Sequence, residues 1–293
     1  MEIINNNQVT PHRLHALVCL VPRLRTPSRD DLLELLQPPD LVNSQDASKA
    51  VYLAAINFRV IVEDENSRVS LHPDIGKRQN IETISGFRAF MQKRLTGIAD
   101  ENADNYLFNL FTAWYAVQNE EVFRYSKKTG FREQFNEAMD FREESDLLEE
   151  GRILSDEKLN GWLTWASFLG WGWRMKARTL DLLMPDAHER LIPVLPLLLP
   201  DSKEIPFSQF AEKLAEICPE LDGGSLFEKC WQASHGAEPR GNQLSLMLST
   251  SLRSLHDNGK IQLIHYADSA NEWQLYPAQA HPVQRVTHIK QRA

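Results

Sequence analysis

Residues 248–263 read LSTSLRSLHDNGKIQL, and this stretch decides the fold. Leu248, Leu252 and Leu255 recur at intervals of four and three, which puts them on one face of a helix. Asn258-Gly259, a pair that tolerates left-handed backbone, ends that helix, and Lys260–Leu263 leads straight into a strand. Working upstream, PFSQFAEKLAEICPEL (206–221) is an amphipathic helix stopped by Pro219 and by Gly223-Gly224, and SLFEKCWQASHG (225–236) is a second. The Asn242–Gly259 segment is then the third. Downstream, KIQLIHYA, a DSAN turn at 268–271 and EWQLYP, with Trp273 and Leu275, predict a two-stranded hairpin.

The same order stands at the other end of the chain. PHRLHALVCLVPRL (11–24) places Leu14, Leu17, Val18 and Val21 on one helical face, with Pro22 near its end. SRDDLLELL (28–36) opens with Ser28 as N-cap and Asp30 and Asp31 in the first turn, where carboxylates complement the helix dipole, and stops at Pro38-Pro39. SQDASKAVYLAAINF (44–58) carries Ala47, Val51, Ala54, Ala55 and Phe58 at helical intervals, and VIVEDENSRVSL (60–71) then alternates around a turn at Asp64–Ser67. Helix, helix, helix, two-stranded wing is the order of a winged-helix domain, and both ends resemble one. That pattern specifies a fold and no reaction.

Between the two ends, from about Asn80 to Pro200, strand signals are scarce and aromatic residues abundant. NADNYLFNLFTAWYAVQN (102–119), GFREQFNEAMDFREESDLLEEG (130–151) and LSDEKLNGWLTWASFLGWGWRMKARTLDLLM (154–184) all carry apolar residues at helical spacing. The expected class is therefore mainly α with small β wings: a winged-helix-like unit over 1–79, a helical middle domain over 80–200, a second winged-helix-like unit over 201–280 and a basic tail over 281–293. The 293 residues include 32 Lys and Arg against 40 Asp and Glu, a net charge of -8. Most of it falls in the middle, with 14 basic and 19 acidic side chains over 81–200. An acidic total speaks against a general nucleic-acid coat protein, whose affinity comes from neutralising phosphate, and leaves room for a local basic patch.

Signals for catalysis are few. Cys19, Cys218 and Cys230 form no C-x-x-C and read as reduced thiols, so neither a disulfide framework nor a zinc site is expected. No phosphate loop, G-x-S-x-G elbow, H-E-x-x-H helix or dinucleotide fingerprint occurs. Gly170-Trp-Gly-Trp reads as close packing, the carboxylates of 143–150 as a solvated helix face, and His12 and His15 as surface histidines with no third ligand. These readings predict no enzyme, no metal and no cofactor. The N-terminal MEIINNNQVTPHR lacks an apolar h-region, and LIPVLPLLLP (191–200) is too short and too proline-broken to span a bilayer, so a cytoplasmic protein without a membrane partner is expected.

DNA contact has a better physical basis. The third helix of a winged helix enters the major groove with polar residues near its N-terminus, and helix termini or wings touch phosphate. The candidates in the C-terminal unit are Arg240, Asn242, Gln243, Ser249 and Arg253, with Lys260 opening the wing. Those in the N-terminal unit are Lys49 and Tyr52, beside Gln45 and Ser48, with Arg68 in the wing. Glu63-Asp64-Glu65 makes that first wing repel phosphate, so the same surfaces serve equally well for protein contacts. Arg285, Lys290 and Arg292, with His281 and His288, give the tail its charge, to follow a DNA groove or to keep the end soluble.

GWLTWASFLGWGWR (161–174), MPDAHERLIPVLPLLLP (184–200) and FAEKLAEICPELDGGS (210–225) resemble the DpdG proteins of bacterial 7-deazaguanine DNA-modification and restriction clusters, with Trp162–Trp173 and Leu221-Asp222-Gly223-Gly224 the most characteristic points. The resemblance implies a cytoplasmic accessory protein of a defence system, acting beside enzymes that place a modified base in DNA or restrict unmodified DNA. It transfers no catalytic residue. The expected function is a non-enzymatic DNA-binding or complex-forming component, with other proteins of that system as partners. The alternatives are a winged-helix transcriptional regulator and a protein-interaction scaffold that does not bind DNA.

Overall fold

Three short helices and a hairpin open the chain in the computed structural model, which describes residues 2–41, 44–77, 79–124, 128–141, 153–177, 181–200, 203–237, 241–269, 271–279 and 281–292. Helix Pro11–Leu20 begins at Thr10, whose hydroxyl accepts the Arg13 N–H at 3.3 Å. Ser28 and Asp31 form the reciprocal capping box of helix Arg29–Leu36, each side chain accepting the other's backbone N–H. Helix Asp46–Asn57 follows, then antiparallel strands Ile61–Glu63 and Val69–Leu71 in the register Ile61 to Leu71. A bridge between Ser28 and Arg68 ties the start of the second helix to the hairpin. Leu14, Leu17, Leu32, Val51, Ala54, Val60 and Val69 are buried, so the apolar faces predicted for each element form the core.

Contacts divide the chain into two units, Met1–Leu95 with Glu157–Leu169, and Thr96–Asp156 with Gly170–Ala293. This differs from the expected division into three domains and a tail, because the aromatic middle is split between the two. In the first unit the Trp165 indole N–H donates to the Val9 carbonyl at 2.8 Å. Gly161 lies so close to the Ile4 backbone that a Cβ would stand 2.8 Å from the Ile4 oxygen. Phe168 meets Phe87 of helix Ile84–Leu95 at 5.8 Å between ring centroids, and the Gln92 amide donates to the Leu169 carbonyl at 2.7 Å. Residues 157–169 thus complete a core begun about 150 residues earlier in sequence.

The second unit is built around helix Tyr106–Val117, every residue of which is buried. Phe111, Trp114 and Phe135 form an aromatic cluster on one side, and helix Ser225–His235 packs along it. Helices Phe207–Ile217, Ser225–His235 and Leu246–Asp257 stand where the sequence predicts three helices.

Three expectations are corrected here. The helix of the tryptophan stretch stops at Leu169, where Gly170 at φ +85° turns the chain, and Gly172–Lys176 and Asp181–Pro185 form an antiparallel hairpin closed by the Arg174–Asp181 ion pair at 2.6 Å. Strand Ile261–Ile264 does not pair with Trp273–Gln274. It pairs with His288–Gln291, which lies between it and Ile205–Pro206 in a three-stranded sheet, while Trp273–Gln274 pairs with Arg285–Val286. The supposed basic tail is therefore the central strand of that sheet. Its buried Val286, Thr287 and Ile289 outweigh the exposed Lys290, because Ile289 sits opposite Leu263 and Ile205 in the core. The result is a mainly α chain with small antiparallel sheets.

Candidate nucleic-acid interface

In the first unit, helix Asp46–Asn57 is fixed by hydrogen bonds from its opening turn. The Ser48 N–H donates to the Gln37 side-chain oxygen at 2.9 Å, and the Ser48 hydroxyl donates to the Gln45 carbonyl at 3.0 Å. Tyr52 is buried, and its hydroxyl donates to Glu63 at 2.7 Å while the Arg29 guanidinium lies 5.5 Å from its ring. Burial and then the Glu63 carboxylate push the phenol well above its ordinary pKa. Tyr52 thus joins the third helix to the wing instead of facing a ligand. Lys49 and Arg68 are exposed, as is Arg59 at the far end of the helix. Arg59, held at φ +51° in the turn into the first strand, is a cation the sequence pattern does not single out, since it falls between helix and hairpin.

In the second unit the predicted residues separate into two groups. Asn242, Gln243 and Lys260 are exposed, and the Asn242 amide donates to the Glu272 carbonyl at 3.1 Å. Ser249 is fully buried and accepts the Tyr276 N–H at 2.7 Å. Arg253 is 7% exposed, and its guanidinium donates to the carbonyls of Val283 (3.1 Å) and Tyr276 (2.8 Å) and to the Gln284 side chain (3.3 Å). Burial lowers its pKa. The expected phosphate contact is corrected by this geometry: Tyr276, Val283 and Gln284 lie on that side of the helix, and Arg253 clamps them to it. Arg240 lies outside the described residues, as do the carboxylates of 143–150.

The motifs that stand out in sequence are structural here. The Asp222 carboxylate, itself buried, accepts the Ser245 N–H at 2.7 Å and the Ser245 hydroxyl at 2.6 Å, while that hydroxyl caps helix Leu246–Asp257 through the Leu248 N–H. A Cβ on Gly224 would come within 2.5 Å of the Pro219 oxygen. Leu-Asp-Gly-Gly is thus the hinge pin of the third helix. Trp171 is buried under the Arg190 guanidinium at 5.6 Å, and Arg190 acts on the buried Glu220, whose carboxyl is raised above the usual range by burial. Both are cut off from solvent. The Cys218 thiol is pushed up to about 12 by burial, and Cys230 is raised for the same reason, so neither offers a thiolate near neutral pH. Among the described residues no group of three His, Cys, Asp or Glu side chains is arranged to hold a metal. No described helix is long and apolar enough to cross a membrane.

Charge separates between the units more sharply than along the sequence. The first carries 13 basic and 12 acidic side chains, and the second 19 and 28. The acidic surplus lies wholly in the second unit. A family model described as DpdG-like matches residues 1–269. The chain belongs to the DpdG-like family. Membership ties it to a DNA-modification system, and the match runs through both sets of three helices and strand Ile261–Ile264. No curated protein and no solved structure matches this DpdG-like chain.

Proposed function

We propose that the chain is a non-enzymatic, DNA-binding component of a bacterial DNA-modification and defence system, in which the first unit meets DNA and the second holds protein partners. The observation that carries this reading is the charge division. A unit near neutrality with exposed Lys49 on its third helix and exposed Arg59 just beyond that helix can approach phosphate, whereas a unit with nine surplus carboxylates repels it. The same surplus favours a basic protein surface as the second unit's partner. A role without catalysis is supported by what the reactive groups do: two thiols are buried and protonated, and Tyr52, Arg190 and Arg253 serve packing and internal bonds.

The test is a titration of the full chain on a labelled DNA duplex at several salt concentrations, with and without copurified partners. Binding should weaken with salt, and Lys49→Ala with Arg59→Ala should flatten the log–log slope by about two units, roughly 0.9 for each phosphate no longer neutralised. A chain that ignores DNA at about 50 mM salt in both settings leaves the scaffold reading in its place.

A further inference from the structure

The wing of the first unit is a poor landing site for phosphate. Its first strand ends at Glu63 and its turn carries Asp64 and Glu65, and Arg68, the cation beside them, has its backbone N–H bound by the Asp64 carboxylate at 2.8 Å. The chain that follows has the opposite character. Residues 76–95 hold five Lys and Arg side chains against the single carboxylate of Glu82.

Two of these cations, Lys93 and Arg94, line an open groove of about 730 Å3 between the turn Pro73–Ile75, which directly follows the hairpin, and helix Ile84–Leu95. Gly86 and Ala89 are among its lining residues, and their small size lets a ligand come close to the helix backbone. At one end stand the hydroxyls of Thr83 and Ser85, and at the other the exposed Lys93. From Ser85 to Lys93 the helix rises about 12 Å at roughly 1.5 Å per residue, a length that passes about three phosphates of one DNA strand. Arg94 lies against the Phe90 ring at 4.3 Å and is tied to Asp74 at 3.2 Å. Among the described residues Asp74 is the only carboxylate lining the groove, and it occupies a guanidinium that would otherwise face the trough.

We infer that this groove, and not the wing, is the phosphate-tracking surface of the first unit, with Lys93 contacting the DNA backbone and Asp74 restraining Arg94 in the free protein. The inference rests on the DNA-binding reading above and specifies where the backbone lies. A ligand of this chemistry is a polyanionic strand: the groove is open, and the hydroxyls of Thr83 and Ser85 at one end of the helix segment and Lys93 at the other suit a repeating charge.

The experiment compares the full-length wild type with Lys93→Glu and Asp74→Asn on one labelled duplex, by anisotropy titration from about 50 to 300 mM salt. Lys93→Glu should weaken binding at least about tenfold at the lowest salt and flatten the slope by about one unit, the value of one phosphate left unneutralised. Asp74→Asn should tighten binding several-fold, because it removes a carboxylate and releases Arg94. Misfolding cannot produce that gain. If the wild type binds DNA and both variants match it in affinity and slope, the groove is refuted while the DNA-binding reading stands. If the wild type binds no DNA, with or without its partners, both fall together.

Discussion

Replacing Asp222 by alanine should remove most of what holds the third helix of the second unit at its start. The carboxylate accepts two short hydrogen bonds, from the Ser245 N–H at 2.7 Å and the Ser245 hydroxyl at 2.6 Å, and both residues are almost fully buried. A hydrogen bond to a charged acceptor contributes roughly 1.5–3 kcal/mol, and a buried N–H left without a partner costs about 1–3 kcal/mol. Part of this is offset because alanine no longer carries a carboxylate into the interior. The net destabilisation should be about 3–5 kcal/mol, which for a unit of this size lowers the melting temperature by roughly 8–15 °C. Asp222→Asn keeps an oxygen for the Ser245 N–H but sets an NH2 donor where the Ser245 hydroxyl found an acceptor, so that hydroxyl must turn to accept from it, and about 1–2 kcal/mol is expected. Thermal unfolding followed by circular dichroism, with urea denaturation for the free energies, gives the order wild type, Asn, Ala. An alanine variant within about 1 kcal/mol of wild type would refute the view that this carboxylate anchors the helix.

Two further outcomes follow from backbone geometry and from titration. Gly170→Ala should destabilise by more than about 3 kcal/mol in urea denaturation, since its φ is +85° and a Cβ would lie 2.6 Å from Glu189 Cβ and 2.8 Å from the Arg190 nitrogen. Gly241→Ala, at φ +65° with open space around it, should cost only about 1 kcal/mol. His256 accepts the Leu263 N–H on Nδ1 at 3.0 Å, and burial, followed by Arg292, depresses its pKa below the ordinary value of 6.5. The unfolded chain then takes up a proton before the native one does, so stability present above pH 6.5 is lost as the pH falls below it. His256→Gln should flatten that part of the pH–stability profile, and an unchanged slope between about pH 7 and 5.5 would count against the role.

Local signals are legible in the sequence and long-range pairings are not. Ser28 with Asp31, the prolines after Leu36, and Asn258-Gly259 each act within a few residues, and the helices begin and end close to where they direct. Strand His288–Gln291 has no partner near it in sequence: its register with Ile261–Ile264 depends on Ile289 meeting Leu263 across more than twenty intervening residues. Gly170 carries the end of its helix in a backbone angle that composition does not reveal. Arg253 misleads for a related reason. Helical spacing puts it beside the leucine face, but only the return of Tyr276, Val283 and Gln284 to the helix buries it. For the candidate interface, residue type points to Lys49 and Arg68, which are exposed. The groove beside Lys93 is hidden in the sequence because it is formed by a turn and a helix that a domain boundary at residue 79 separates.

The first unit is discontinuous, and this sets the order in which the protein can be made. Its tryptophan helix arrives only after Thr96–Asp156, which belongs to the other unit, has been synthesised. Closing a loop of that length costs roughly 3–4 kcal/mol of chain entropy before Gly161, Trp165 and Phe168 can reach Ile4, Val9 and Phe87. On the ribosome, residues 1–95 must therefore wait with an incomplete core until residue 169 has emerged. A gene fragment stopped at Leu95 encodes no finished domain, and a break in the chain anywhere between the two pieces turns an intramolecular docking step into a bimolecular one whose success depends on concentration.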